Sequence, residues 1–161
     1  MHWLMSNRAD RRARPLADRH YSRQKPGASQ FVAAGSCVVL LTEDADALWV
    51  SLWQLEEYVK HAWPGAWVCS FFRNESPILS SKLIREAVAV TRSVWGDPPE
   101  LGMVTFVDTV KTRRKRDPGR CFRRAGFAPC GWTKGGLFAL QLLPGDMPEA
   151  EPAFERQLSL F

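Results

Sequence analysis

The chain has 161 residues, 45% of them hydrophobic and 24% charged, with a formal net charge of +5. That composition fits one folded domain with tails and excludes a disordered or fibrous protein. No apolar run approaches the roughly 20 residues of a membrane helix, and MHWLMSNRADRRARP has no apolar stretch ahead of a cleavage site, so a cytoplasmic protein with no membrane partner is expected. The four cysteines, Cys37, Cys69, Cys121 and Cys130, are widely spaced, as are His2, His20 and His61, which argues against a disulfide scaffold and makes a metal site unlikely.

In chain order, residues 7–19 suggest a short helix begun or interrupted by Pro15, followed by the polar loop HYSRQKPGAS. CVVLL (37–41) and ALWVSLW (47–53) read as a β-hairpin around TEDAD, and AWVCSFF (66–72) as a central strand. The polar RNESPILSS leads into KLIREAVAVTRSVW (82–95), whose Leu83, Ile84, Ala87, Val88, Thr91 and Val94 or Trp95 form one helical stripe, stopped by Gly96 and Pro98-Pro99. ELGMVTFVD (100–108) is the next strand. Asp117-Pro118 reads as the N-cap and first residue of a short helix ending at Gly126, and residues 132–133 and 137–142 as closing strands around Lys134-Gly135-Gly136. From Pro144 onward the composition predicts a flexible tether. The expected class is α/β, a mixed sheet flanked by helices.

Basic charge is clustered. Residues 8–25, including Arg23 and Lys25, carry seven basic residues against two acidic ones. Residues 111–124 carry eight, among them Arg113, Arg114, Lys115, Arg116, Arg120 and Arg123, against Asp117 alone, for a net +7. Either cluster alone fits a solvated helix face; two together, with an acidic tail, point to a polyanion such as DNA, with the dense run assigned to phosphates and not to base edges.

The order of hairpin, central strand, polar loop, amphipathic helix, strand, short helix and closing strands resembles the GNAT acyltransferase superfamily. RHYS, FFRNES with SSKLIREAV, MVTFVD, RRKRDPGRCFRRAGF and TKGGL together resemble the Mom-like phage DNA-modification proteins of that superfamily across about residues 15–142. The resemblance implies a GNAT-like domain over residues 1–143 and group transfer to a base amine of DNA. It also implies acyl-CoA, in the form of acetyl-CoA, as cofactor. Cys69, Ser70, Phe71, Arg73, Asn74, Ser80 and Ser81 would take the pantetheine and pyrophosphate, without the superfamily's glycine-rich Q/R-x-x-G-x-G/A loop. Phe122 stands where many members have a tyrosine that protonates the leaving thiolate; Cys121 beside it is either a donor or a structural thiol.

His20 and Tyr21 match the Mom-like His-Tyr pair and are the first candidates for catalysis. Without the resemblance they read as an exposed loop histidine and a packed tyrosine. Glu75 and Asp108, at the ends of consecutive strands, would act as base or orient His20. Trp49, Trp53, Trp63, Trp67 and Tyr21 are candidate stacking surfaces for a base held outside the duplex, most of them expected to be core.

The chain ends Gln157, Leu158, Ser159, Leu160, Phe161, which matches the QLxLF peptide by which bacterial polymerases and repair proteins bind the sliding clamp. The apolar Leu158, Leu160 and Phe161 as anchors and an orienting glutamine at the end of a polar 144–161 tail fit that use, the alternative being a tail folded onto its own domain. Two other readings stay open: an ordinary GNAT acetyltransferase acting on a protein or small amine, and a non-enzymatic factor that binds the clamp or DNA.

Overall fold

The computed structural model describes residues 1–20, 27–112 and 117–156. Seven strands form one mixed sheet: β1 (Trp3–Met5), β2 (Ser36–Thr42), β3 (Ala47–Trp53), β4 (Trp67–Asn74), β5 (Met103–Val107), β6 (Ala128–Trp132) and β7 (Phe138–Leu142). Their order across the sheet is β1-β2-β3-β4-β5-β7-β6. Neighbours are antiparallel except β4 and β5, which run parallel. Helices α1 (Arg14–Asp18), α2 (Ser80–Trp95) and α3 (Arg120–Arg124) complete the fold among the described residues, an α+β arrangement compatible with the α/β class read from the sequence.

The larger core lies between the sheet and α2. Leu83, Ile84, Ala87 and Val88 are fully buried against Trp49, Trp67, Met103, Leu140 and Leu142. The stripe read from the sequence is thus the packing face, although Val94 at its end is 48% exposed. Buried polar groups inside this core satisfy one another. Trp49 Nε1 donates to Ser51 Oγ at 2.7 Å, Ser51 and Thr91 share a 2.7 Å bond, and Thr91 Oγ1 donates to the Ala87 carbonyl at 2.8 Å. A second core on the opposite face packs Ala13, Leu16 and Ala17, on and just before α1, against Val39, Leu41, Leu48, Val50 and Phe71.

The sheet changes character in β4. Val50 pairs with Phe71 and Ser51 with Cys69, so Ser70 is an extra residue, a β-bulge. Its effect is visible in the side chains: Cys69 and Phe72 both enter the α2-side core while Phe71 enters the other, a spacing of three where an unbulged strand gives two. A bulge bends and over-twists its strand. Here the β4–β5 ladder runs only from Trp67↔Met103 to Cys69↔Thr105, although both strands continue beyond it.

One element is added and two expectations are corrected. A strand at Trp3–Met5 pairs with β2, held by Trp3 Nε1 donating to the Leu83 carbonyl at 2.8 Å. Asp117 does not cap α3, whose N-cap is Gly119 at φ 81°; its carboxylate pairs with Arg123 one turn later. Residues 144–156 are not a free tether. Met147 is buried, Arg92 Nη1 donates to the Pro148 carbonyl at 2.7 Å, Glu151 N to Ala89 O at 3.1 Å, and Phe154 N to Trp3 O at 2.8 Å. The polar composition concealed this because the docking is carried by main-chain groups. Residues 157–161, with the clamp-binding motif, lie outside the described residues.

Candidate functional site

Where β4 and β5 part, they leave a cleft of about 510 Å³. Its walls are the far half of β4, Thr105 to Val107 of β5, Lys111, Thr112, Pro118 and Gly119 of the following loop, Cys121 and Phe122 of α3, and Arg19 and His20 just after α1. At the apex, Thr105 Oγ1 donates to the Cys69 carbonyl at 3.1 Å, so a side chain closes the ladder where the strands diverge. Beyond that point one edge of β4 faces a cavity in place of a neighbouring strand, and a ligand with an amide backbone can pair with it as a strand would.

The sequence candidates sort themselves by this geometry. Cys69, Ser70, Phe71, Arg73, Asn74, Ser80 and Phe122 line the cleft. Ser81 lines an adjoining depression, with Ser80, Gly119, Arg120, Cys121, Arg124 and Asp117, whose carboxylate is paired with Arg123, at the start of α2. No side chain caps that 16-residue helix, and its first residues, Ser80 and Ser81, at the positive end of its dipole, line this depression. The loop before it manages without glycine. Asn74 Nδ2 donates to the Ile78 carbonyl at 2.7 Å and to Ser80 Oγ at 2.9 Å, while its Oδ1 accepts from the main chain and hydroxyl of Ser76. Asn74 is therefore a brace for the β4–α2 turn.

Cys69 is buried, its thiol donates to the Phe71 carbonyl, and burial pushes its pKa far up, which rules it out as a nucleophile at neutral pH. Cys121 is half-buried and borders both cavities. Phe122 is core, edge-on to Phe72 at 6.0 Å and to Phe127 at 5.4 Å.

His20 is half-buried in the cleft wall, with its ring against Phe71 at a centroid distance of 4.1 Å and an interplanar angle of 37°. An aromatic contact of this kind is worth about 0.5–1.5 kcal/mol and fixes the ring's orientation. Tyr21, Arg23 and Lys25 lie outside the described residues, as do Arg113, Arg114, Lys115 and Arg116.

The two carboxylates singled out by the sequence are engaged. Glu75 accepts both Nε and Nη2 of Arg19 at 2.8 Å and Nε of Arg73 at 2.5 Å. These guanidinium bonds hold its pKa down to about 2, which makes it a poor proton acceptor and a counter-ion that fixes Arg19 and Arg73 at the rim of the cleft. Asp108 Oδ1 accepts the main-chain N–H groups of Val110 and Lys111 at 3.0 and 2.9 Å, which shapes the turn leaving β5. Arg120 and Arg123 are exposed on α3.

Because the folded-state pKa of Glu75 is depressed, the stabilisation from its arginine pairs is complete above the ordinary value of 4.5 and is lost as pH falls toward 2. The expected carboxyl titration of Glu75, followed by carbon NMR, has its midpoint near 2. A midpoint near 4.5 would show that the Arg19–Glu75–Arg73 arrangement does not persist in solution.

Arg19 was legible only as one charge in a basic run. Its role depends on a partner 56 residues away. Trp49 and Trp67 are fully buried, Trp53 packs on Trp67 and Trp95 at 6.0 and 5.4 Å, and Trp63 packs on Phe106 at 5.8 Å, so the tryptophans expected as stacking surfaces are largely structural.

Among the described residues no cluster of His, Cys, Asp and Glu is arranged to hold a metal ion, and no helix is long and apolar enough to cross a membrane. The chain matches none of the family models, curated proteins or solved structures with which it was compared.

Proposed function

We propose that the chain is a GNAT-like transferase that modifies a base amine of DNA and is brought to replicating DNA by its C-terminal peptide. The observation that carries this reading is the split between β4 and β5, which opens a cavity of about 510 Å³ beside the start of α2, with His20 in its wall. The strand order β1-β2-β3-β4-β5-β7-β6 is compatible with the GNAT resemblance, and the edge of β4 freed beyond Cys69↔Thr105 suits the main-chain hydrogen bonds by which that superfamily's central strand is expected to hold the pantetheine arm.

The residues present fit acyl-CoA. Ser70 to Arg73 offer an unpaired strand edge to the pantetheine amides, and the uncapped start of α2 with Ser80, Ser81, Arg120 and Arg124 offers N–H groups and positive charge to the pyrophosphate. When bound, the cofactor supplies the acyl group. The proton that the acceptor amine loses balances the one taken up by the leaving thiol. His20, its ring fixed on Phe71, takes a proton from the acceptor amine, whose lone pair is delocalised into the base and which is otherwise a weak nucleophile. Arg19 and Arg73, held by Glu75, present positive charge at the rim, suited to the phosphates flanking an extruded nucleotide. Lys111 at the cleft rim adds to that charge, and the composition of the 111–124 segment provides further basic residues for the backbone.

The test is mass spectrometry of nucleosides from DNA of bacterial cells expressing the chain. A new nucleoside mass, absent from cells without it, is expected and identifies the transferred group; unchanged nucleosides overturn the DNA-base reading. For the tail, the full chain is expected to be retained by immobilised sliding clamp and a variant lacking residues 157–161 to pass through, at unchanged thermal stability. Equal retention of the two would remove the clamp assignment.

A further inference from the structure

Six of the seven tryptophans are buried or half-buried, whereas Trp132 is 61% exposed. It ends β6 and pairs across the hairpin with Phe138, their rings 5.1 Å apart, and Phe138 pairs in turn with Val107 at the end of β5. Residues directly opposite on adjacent strands share a face of the sheet, so Val107, Phe138 and Trp132 form a row running outward from the cleft wall. With strands spaced about 4.8 Å, Trp132 stands roughly 10 Å from the cleft lining, about the reach of one or two nucleotides. The mouth of the cleft and this hairpin lie at the same end of the sheet.

The indole is presented on a stiff support. Thr133 N donates to Leu137 O at 2.9 Å, Leu137 N to Thr133 Oγ1 at 3.0 Å, and Gly136 N to Thr133 O at 3.0 Å, with Gly136 at φ 83° completing the turn. Phe138 backs one side of the ring system, and Lys134 at the hairpin tip and Lys111 at the cleft rim are both exposed. The exposed indole ends an apolar row that is flanked by these two lysines, and an aromatic face with cations near it is the combination that binds unpaired nucleotides.

We infer that Trp132 is a stacking platform for a base of the DNA strand that enters the cleft, with Lys134 at the hairpin tip and Lys111 at the cleft rim placed to meet the adjacent phosphates. This rests on the DNA-directed reading above. A base stacked there stays out of the duplex and is replaced at no cost by any other base, because every base offers a π-face; Trp132 thus contributes affinity for unpaired or extruded nucleotides without sequence preference.

The experiment uses the full chain and two fluorescein-labelled duplexes of equal length, one fully paired and one with a central unpaired 2-aminopurine. Trp132→Leu keeps the apolar contact with Phe138 but removes the large π-face; Trp132→Phe restores a smaller one. The expected result is about a ten- to hundred-fold loss of affinity for the unpaired-base duplex in Trp132→Leu, a much smaller loss for the paired one, and substantial rescue in Trp132→Phe. Quenching of 2-aminopurine by the wild-type chain is expected to disappear in Trp132→Leu. Wild-type binding of both duplexes with Trp132→Leu indistinguishable from it overturns this inference and leaves the proposed function standing. Binding of neither duplex by the wild type fails the DNA reading itself. A change in self-association in Trp132→Leu with DNA affinity intact assigns the indole to a contact between copies and likewise overturns the proposal.

Discussion

Replacing His20 by alanine is expected to lower transfer to DNA by about 10²–10⁴-fold, the range removed with a positioned general base. The loss should fall on the rate of the chemical step more than on cofactor binding, because the residues proposed to hold the cofactor lie on β4 and α2, whereas His20 follows α1. Thermal stability is the control, read alongside transfer, since the half-buried ring packs on Phe71. Phe71→Leu is the informative companion: it leaves the imidazole in place but loosens its support, and is expected to reduce transfer by less than His20→Ala. Nucleoside mass spectrometry with purified chain, DNA and acetyl-CoA reads both. Normal modification by His20→Ala would remove His20 from the chemistry and pass the role of base to another group in the cleft wall.

The elements were legible where a local pattern encodes them. The 47–53 strand coincides with β3, and the stripe on 82–95 is the buried face of α2, because burial on one side writes its period into the sequence. β1 escaped notice: three residues carry no period, and Trp3 is committed by a bond to Leu83, 80 positions away. Charge patterns were read less well than apolar ones. Glu75 and Asp108 were placed correctly at strand ends, yet their roles depend on partners, Arg19 and Arg73 for one and two main-chain N–H groups for the other.

The bulge at Ser70 was also invisible, although the cleft depends on it. A run such as AWVCSFF shows uninterrupted apolar character whichever way each side chain points, so the phase shift between Cys69 and Phe72 leaves no trace. Trp132 illustrates the converse. Composition counts seven tryptophans alike, and only packing separates the six that are at least half-buried from the one at the surface.

Gly102→Ala is expected to destabilise the fold by about 2–5 kcal/mol, combining the cost of a left-handed conformation with that of overpacking. Gly102 has φ +66°, and a Cβ there would lie 2.0 Å from the Leu142 carbonyl oxygen and 3.0 Å from its carbon. The obstacle is main chain, which cannot rotate away as a side chain does. Gly102 also accepts the Trp67 N–H at 2.9 Å, so it joins β4, β5 and β7 at the closed end of the split. Forcing β7 outward there would disturb the hinge from which β4 and β5 diverge. Gly96→Ala tests backbone strain without a clash, since Gly96 has φ 82° and ψ −145°, a conformation that favours glycine, with nothing within 4 Å of the added carbon, and it should cost about 1–3 kcal/mol. At about 2–4 °C per kcal/mol for a chain of this size, Gly102→Ala should melt roughly 10 °C below the wild type by far-UV circular dichroism, and Gly96→Ala about half as far below. Equal shifts in the two variants would mean that the approach of Leu142 to Gly102 is looser in solution than 2.0 Å implies, and that the closed end of the split is not the rigid corner from which the cleft takes its shape.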